Sequence, residues 1–130
     1  MTSYFLDTNV VIRFLRGDSE VVQRMRELVE HHVSISSIVA AELYRGVYLS
    51  DGKREAEKVA QFLATIDIAD FDHAAARICG ESYAKLKRSG KMTQDFDLLI
   101  ASVCIAHDGV FVTKNGKDFK NIERLKVLAI

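Results

Sequence analysis

A chain of 130 residues has room for one domain and one core, and not for two ordinary domains. Hydrophobic residues make up 48% of it and charged residues 28%, with no Trp and no Pro, which excludes disordered and fibrous classes. Lys plus Arg and Asp plus Glu are balanced at 18 each, so no global positive field draws the chain to nucleic acid, and any such contact rests on local charge.

In chain order, Tyr4, Phe5 and Leu6 form a short apolar strand that ends at Asp7. Val10, Val11, Phe14 and Leu15 follow at helical spacing until Gly17 stops them. Val21, Val22, Met25, Leu28 and Val29 predict a second helix, and Val33 to Ile35 a second strand, with Ser36 or Ser37 placed to cap what comes next. Ile38 to Leu49 reads as a helix with Glu42 near its middle. Ala56, Val59, Ala60 and Leu63 mark another after Asp51 and Gly52, and Ile66 to Ile68 is a third, short strand.

Ala74 to Arg88 predicts a long helix ended by Gly90. Asp97 to Ala106 predicts one that is apolar on nearly every side and therefore belongs in the interior. Val110 to Thr113 is a fourth strand, Lys114 to Phe119 a turn with helical tendency, and Leu125 to Leu128 an edge strand. Strands alternating with helices predict an α/β domain of three α/β/α layers around a central parallel sheet of four to five strands, filling residues 1–130 without repeats or linkers.

No stretch reaches the roughly 18 apolar residues that a membrane span needs, and no basic segment followed by an apolar run opens the chain, so the expectation is a protein neither exported nor membrane-embedded. Cys79 and Cys104 are isolated in apolar helical stretches, lack zinc or disulfide spacing, and read as reduced core residues of a cytoplasmic protein. His31, His32, His73 and His107 have no metal-ligand spacing with the carboxylates and read as surface or helix-end residues.

The chemistry sits in carboxylates set among apolar neighbours. In parallel α/β folds, ligands bind outside the carboxyl ends of the strands, where Asp7 falls. Asp97 is expected to open its helix ahead of Leu98, Leu99, Ile100 and Ala101, at the border of the buried region. Glu42 is flanked by Ala40, Ala41 and Leu43. Burying an uncompensated charge costs several kcal/mol, so each wants a partner. Taken singly, Asp7 and Asp97 also suit plain helix caps, and Glu42 a partly exposed helix position.

Together in one pocket they would raise each other's pKa values unless a divalent cation neutralised them, and oxygen-only ligands select Mg²⁺ or Mn²⁺ over Zn²⁺. Such an ion activates water and balances charge on a phosphodiester undergoing displacement. Asp95 competes with Asp97, but residues two apart on a helix point about 200° from each other, so Asp95 is assigned to the helix dipole.

Leu6, Asp7, Thr8 and Asn9, then Ser36, Ser37, Ala41, Glu42 and Leu43, then Asp97 to Ala101, then Val112, Thr113, Asn115 and Phe119 together resemble the PIN-domain family. More narrowly they are similar to the VapC ribonuclease toxins of bacterial toxin–antitoxin pairs, over nearly the whole chain. The resemblance implies a metal-dependent endoribonuclease with Asp7, Glu42 and Asp97 as metal ligands and Thr8 and Thr113 as hydroxyl-bearing neighbours.

The family often carries a fourth acidic residue after the fourth strand, where this chain has Asn115, with Asp118 three residues on. That leaves a second metal site open: Asn115 donating a hydrogen bond or orienting a water, Asp118 ligating a metal or capping the turn. The resemblance further implies a homodimer silenced by a cognate VapB-like antitoxin lying across the active-site groove.

Lys85, Lys87, Arg88 and Lys91 around Gly90, and Lys114, Lys117 and Lys120 after the fourth strand, are the local charge available to RNA phosphates. Lys114 and Lys117, beside the site, are the expected substrate contacts. A solvated helix face accounts equally for the first group. Two alternatives stand against the nuclease: a receiver-like signalling domain, which would want adjacent acids after the first strand and an acceptor Asp after the third, and an inactive PIN module that only binds RNA or protein.

Overall fold

In the computed structural model, which describes residues 1–130, strands and helices alternate along the chain as the apolar periodicity requires. The strands are β1 (Ser3–Leu6), β2 (His32–Ser36), β3 (Asp67–Ala69), β4 (Val110–Thr113) and β5 (Lys126–Ala129). The helices are α1 (Thr8–Leu15), α2 (Ser19–Leu28), α3 (Ser37–Leu49), α4 (Lys53–Thr65), α5 (His73–Arg88) and α6 (Asp95–Ala106), with a short 3-10 helix at Gly116–Phe119. The strands form one all-parallel sheet in the order β3-β2-β1-β4-β5, with helices on both faces.

β1 is thus the strand from which the chain first moves one way, to β2 and β3, and later the other way, to β4 and β5. Its neighbours are β2 and β4, whereas a receiver domain pairs its first strand with its second and third. The receiver reading is removed by this order. The direction of winding reverses between β1 and β4, and in open parallel sheets ligands bind outside the carboxyl ends of the strands at such a point.

Local chemistry starts and stops the elements. Ser36 caps α3, its Oγ accepting from the Val39 N–H at 3.1 Å, while Ser37 Oγ accepts from the Phe71 N–H at 3.0 Å and ties α3 to the end of β3. Asp18 and Asp72 cap α2 and α5 in the same way. Gly17 and Gly90, with φ of 81° and 69°, turn the chain after α1 and α5 in the left-handed region that a Cβ disfavours.

The centre of the core is apolar and closed to solvent: Val10 and Val11 from α1, Ile35 from β2, Val103 from α6 and Phe111 and Val112 from β4 are fully buried. α6 buries Leu98, Ile100, Ala101 and Cys104 as well. Its one buried hydroxyl, Ser102 Oγ, donates to the Leu98 carbonyl at 2.7 Å. Buried to this degree, the Cys104 thiol is pushed up to about 12 and stays protonated.

Among the element boundaries that differ from expectation, those of β3, β5 and α6 matter most. β3 and β5 each lie one residue further along than Ile66–Ile68 and Leu125–Leu128, because backbone pairing with β2 and β4 decides register where short apolar runs do not. α6 begins at Asp95, so Asp97 is its third residue and does not open it. Gln94 provides the extended N-terminal position without a side-chain bond.

Gly109 carries the chain from α6 into β4 against the ring of Phe5. A Cβ there would stand 2.6 Å from Phe5 Cδ2 and 3.2 Å from the Ser3 carbonyl oxygen. Because that ring is itself core, Gly109→Ala is expected to destabilise the protein by about 1–3 kcal/mol, read as a lower denaturation midpoint in urea; an unchanged midpoint would show that β1 and β4 tolerate separation.

Candidate active site

Asp7 extends the β1–β4 pairing by one residue, its backbone N–H donating to the Val112 carbonyl at 2.9 Å. Its side chain is buried at the carboxyl end of the strand, 7% exposed. Oδ1 accepts from the Thr8 N–H at 2.8 Å and so caps α1, while Oδ2 accepts from Thr113 Oγ1 at 2.7 Å. Cap and site residue are one carboxylate. Burial raises its pKa, the Thr113 and Thr8 hydrogen bonds oppose that rise, and the charges of Glu42 and Asp118 add to it.

Thr113 ends β4 fully buried, and its Oγ1 also accepts from the Asn115 N–H at 3.0 Å. Its carbonyl accepts from the Ile130 N–H at 3.0 Å, which ties it to the end of β5. On the other side, Thr8 Oγ1 donates to Glu42 Oε1 at 2.6 Å, drawing the middle of α3 to the start of α1. The two threonines therefore orient two carboxylates from opposite sides.

Asp97, in the first turn of α6 and half-buried, has its carboxyl pushed up to about 6. Burial is the largest cause, followed by the charges of Asp7, Asp118 and Glu42. Asp118 sits in the 3-10 helix, which is anchored by the next residue: Phe119 is 2% exposed and packs on Phe111 with ring centroids 4.6 Å apart. Four carboxylates thus lie within electrostatic reach of one another. None belongs to the ion pairs of the molecule, Arg13–Asp18, His32–Asp67 and Lys126–Asp108.

The remaining sequence candidates divide. Asp95 is exposed on the first turn of α6, away from the inward-facing Asp97. Asn115 is exposed, and its hydrogen bond to the site runs through its backbone. Lys117 is exposed on the 3-10 helix, while Lys114, half-buried, lines a cavity of about 340 Å³ with Arg24 and Ile130.

No histidine enters the site. His31 meets Tyr4 edge-on, His32 pairs with Asp67 at 3.0 Å, His107 tilts against Phe5, and His73 is exposed at the start of α5. The buried Phe119 directly after Asp118 is the sequence signal that could have given Asp118 more weight, since an anchored aromatic fixes its neighbour's position.

The donors are all oxygens, charged and without a basic partner, which suits a hard divalent cation such as Mg²⁺. As they stand, no three of them converge on one point closely enough to form a ready-made cage. Like charges without a counter-ion hold apart.

Comparison with known proteins decides the family: the PIN domain profile matches residues 4–125. The chain belongs to the PIN-domain family. Among its relatives, this PIN domain is 36% identical to "Ribonuclease VapC2" of Rickettsia felis over 125 residues, covering 94% of this chain and 93% of that one. It is 30% identical to the "tRNA(fMet)-specific endonuclease VapC" of Shigella flexneri, covering 97% and 96%. Among solved structures, VapBC2 from Rickettsia felis bound to a promoter DNA fragment matches with a TM-score of 0.91 at 32% identity, covering 99% of each chain.

The raised Asp97 carboxyl has a thermodynamic signature. It titrates near its ordinary 3.8 in the unfolded chain and near 6 in the fold, so between these values the folded state holds more protons and stability falls as pH rises. Asp97→Asn removes that cost. With EDTA present the variant is expected to melt a few degrees above the parent at neutral pH, with the gap closing as pH falls toward about 4; equal melting temperatures at neutral pH would contradict the assignment.

Proposed function

We propose that this PIN domain is a metal-dependent endoribonuclease that hydrolyses RNA phosphodiester bonds, acting as the toxin of a VapBC-type toxin–antitoxin module. The observation that carries it is the gathering of Asp7, Glu42, Asp97 and Asp118, without a basic partner, at the winding reversal between β1 and β4. Ribonuclease and endonuclease names among the full-length relatives support the same reading.

Asp7, Glu42 and Asp97 would hold a Mg²⁺ ion, which Mn²⁺ could replace, with Asp118 contributing to the same charge field. When bound, such an ion supplies an activated water and balances charge on the phosphodiester. Thr113 and Thr8 hold Asp7 Oδ2 and Glu42 Oε1 by hydrogen bonds, and the carboxylates would close further on the ion as it binds. Asp97, its carboxyl pushed up to about 6, must be ionised to serve as a ligand, so an ion there would compete with its proton below that pH. Lys114 and Lys117, close to Asp118 in the sequence, are the proposed phosphate contacts.

Asn115 departs from an acidic family position, and that departure is the basis of the inactive alternative. The charge of Asp118, felt by both Asp7 and Asp97, supplies at this edge what Asn115 lacks.

A groove of about 320 Å³ opens beside Glu42 between α1, α3 and α4, with Ile12, Leu15, Leu43 and Val47 in its wall. A VapB-like antitoxin segment lying there would cover the site. Solved neighbours described as VapBC complexes, including that of Salmonella typhimurium at a TM-score of 0.89, support an antitoxin partner. No helix is long and apolar enough to cross a membrane. We further propose that the protein is a homodimer and that it acts on RNA in the cytoplasm.

Purified protein is expected to cut RNA with Mg²⁺ or Mn²⁺ and to stop in excess EDTA. Asp7→Asn should lower the rate by at least about 100-fold while leaving the circular dichroism spectrum unchanged. Full cleavage in EDTA, or by folded Asp7→Asn, would sink the proposal. Thr113→Val, which removes only the orienting hydroxyl, is expected to cost about 10–100-fold, measured at saturating Mg²⁺.

A further inference from the structure

Two basic segments far apart in the sequence form the walls of one groove of about 560 Å³. The end of α5 and the residues after it supply Lys85, Arg88 and Lys91, and the segment after the 3-10 helix supplies Lys120 and Arg124. All five are exposed, while Leu86 and Ile122, each 4% exposed, lie beneath them. Against these cations the lining holds two carboxylates, Glu81 and Glu123.

This concentration occurs in a chain of zero formal net charge. No member of the cluster takes part in an ion pair. Basic residues at a helix carboxyl end complement its dipole, which accounts for Lys85 and Arg88 alone. It does not account for Lys120 and Arg124, brought to the same place from another segment. Lys87, one position off the wall, turns away to lie over the Tyr83 ring at 5.8 Å.

Both walls are joined along the chain to residues of the carboxylate cluster. Lys91 leads to Asp97 through residues 92–96, and Lys120 follows Asp118 by two residues, a Cα reach of at most about 7 Å. We propose that this groove binds the sugar–phosphate backbone of single-stranded RNA and holds the strand on one side of the bond to be cut. The inference rests on the ribonuclease reading for its ligand. Contacts of this kind neutralise phosphates and fix register without reading bases.

The test is fluorescence anisotropy of a labelled single-stranded RNA oligonucleotide in EDTA, over a range of salt, with the full chain and a variant carrying Lys85→Ala, Arg88→Ala, Lys120→Ala and Arg124→Ala. Four lost phosphate contacts are expected to make the slope of log affinity against log salt shallower by about 2–3 and to weaken binding at low salt by at least about tenfold. The double variants Lys85→Ala/Arg88→Ala and Lys120→Ala/Arg124→Ala, each stripping one wall, are expected to lose about half of that slope.

An unchanged slope and affinity in a folded quadruple variant would overturn the groove, as would a surface reserved for an acidic protein. Cleavage with Mg²⁺ is measured in parallel. A parent protein that binds with the expected slope but never cuts would defeat the nuclease reading and leave the groove standing. A variant that binds and cuts like the parent would do the reverse.

Discussion

The hydrogen bond from Thr113 to Asp7 joins the carboxyl ends of two adjacent parallel strands at the point where the sheet changes its direction of winding. A carboxylate buried to this degree is costly unless its oxygens are engaged, and here one is held by a neighbouring strand and the other by the first amide of α1. Everything else in the site is arranged around that fixed anion. Thr8, which follows it, reaches Glu42; β4, which supports it, leads into the turn that carries Asp118.

The same arrangement violates a rule of stable folding. Like charges are brought together at the edge of the core, where they raise the pKa values of Asp7 and Asp97 and gain nothing from an ion pair. The surrounding structure absorbs this cost through α6, whose buried face secures Asp97, and through the Phe111–Phe119 contact, which holds the 3-10 helix in place. Local destabilisation of this kind is expected at functional sites and is compensated by packing elsewhere.

Much of this was legible in the residues. Alternating apolar runs predict the strands and helices, and β4 falls at Val110–Thr113 as expected, because its apolar residues are bounded by Gly109 and a polar turn. Asp7 and Asp97 stand out as carboxylates against apolar neighbours. The start of α6 was hidden because Gln94 caps it by backbone conformation alone, leaving no Ser, Thr, Asp or Asn signal.

The weight of Asp118 was marked only by the aromatic residue that follows it. The meeting of Lys85 with Arg124 was hidden, since it depends on how α5 and the segment after the 3-10 helix pack, which no local pattern records. Asn115 acts through its N–H, and a backbone role leaves no trace in residue type.

Asp7 and Thr113 lie 106 residues apart in the chain. Contacts this distant form after local ones, because loop closure and parallel strand pairing must be completed first. A growing chain on the ribosome therefore carries Asp7 long before its partner has been made. The centre is complete only once β4 has emerged and docked against β1, so the last quarter of the chain decides when the protein can act.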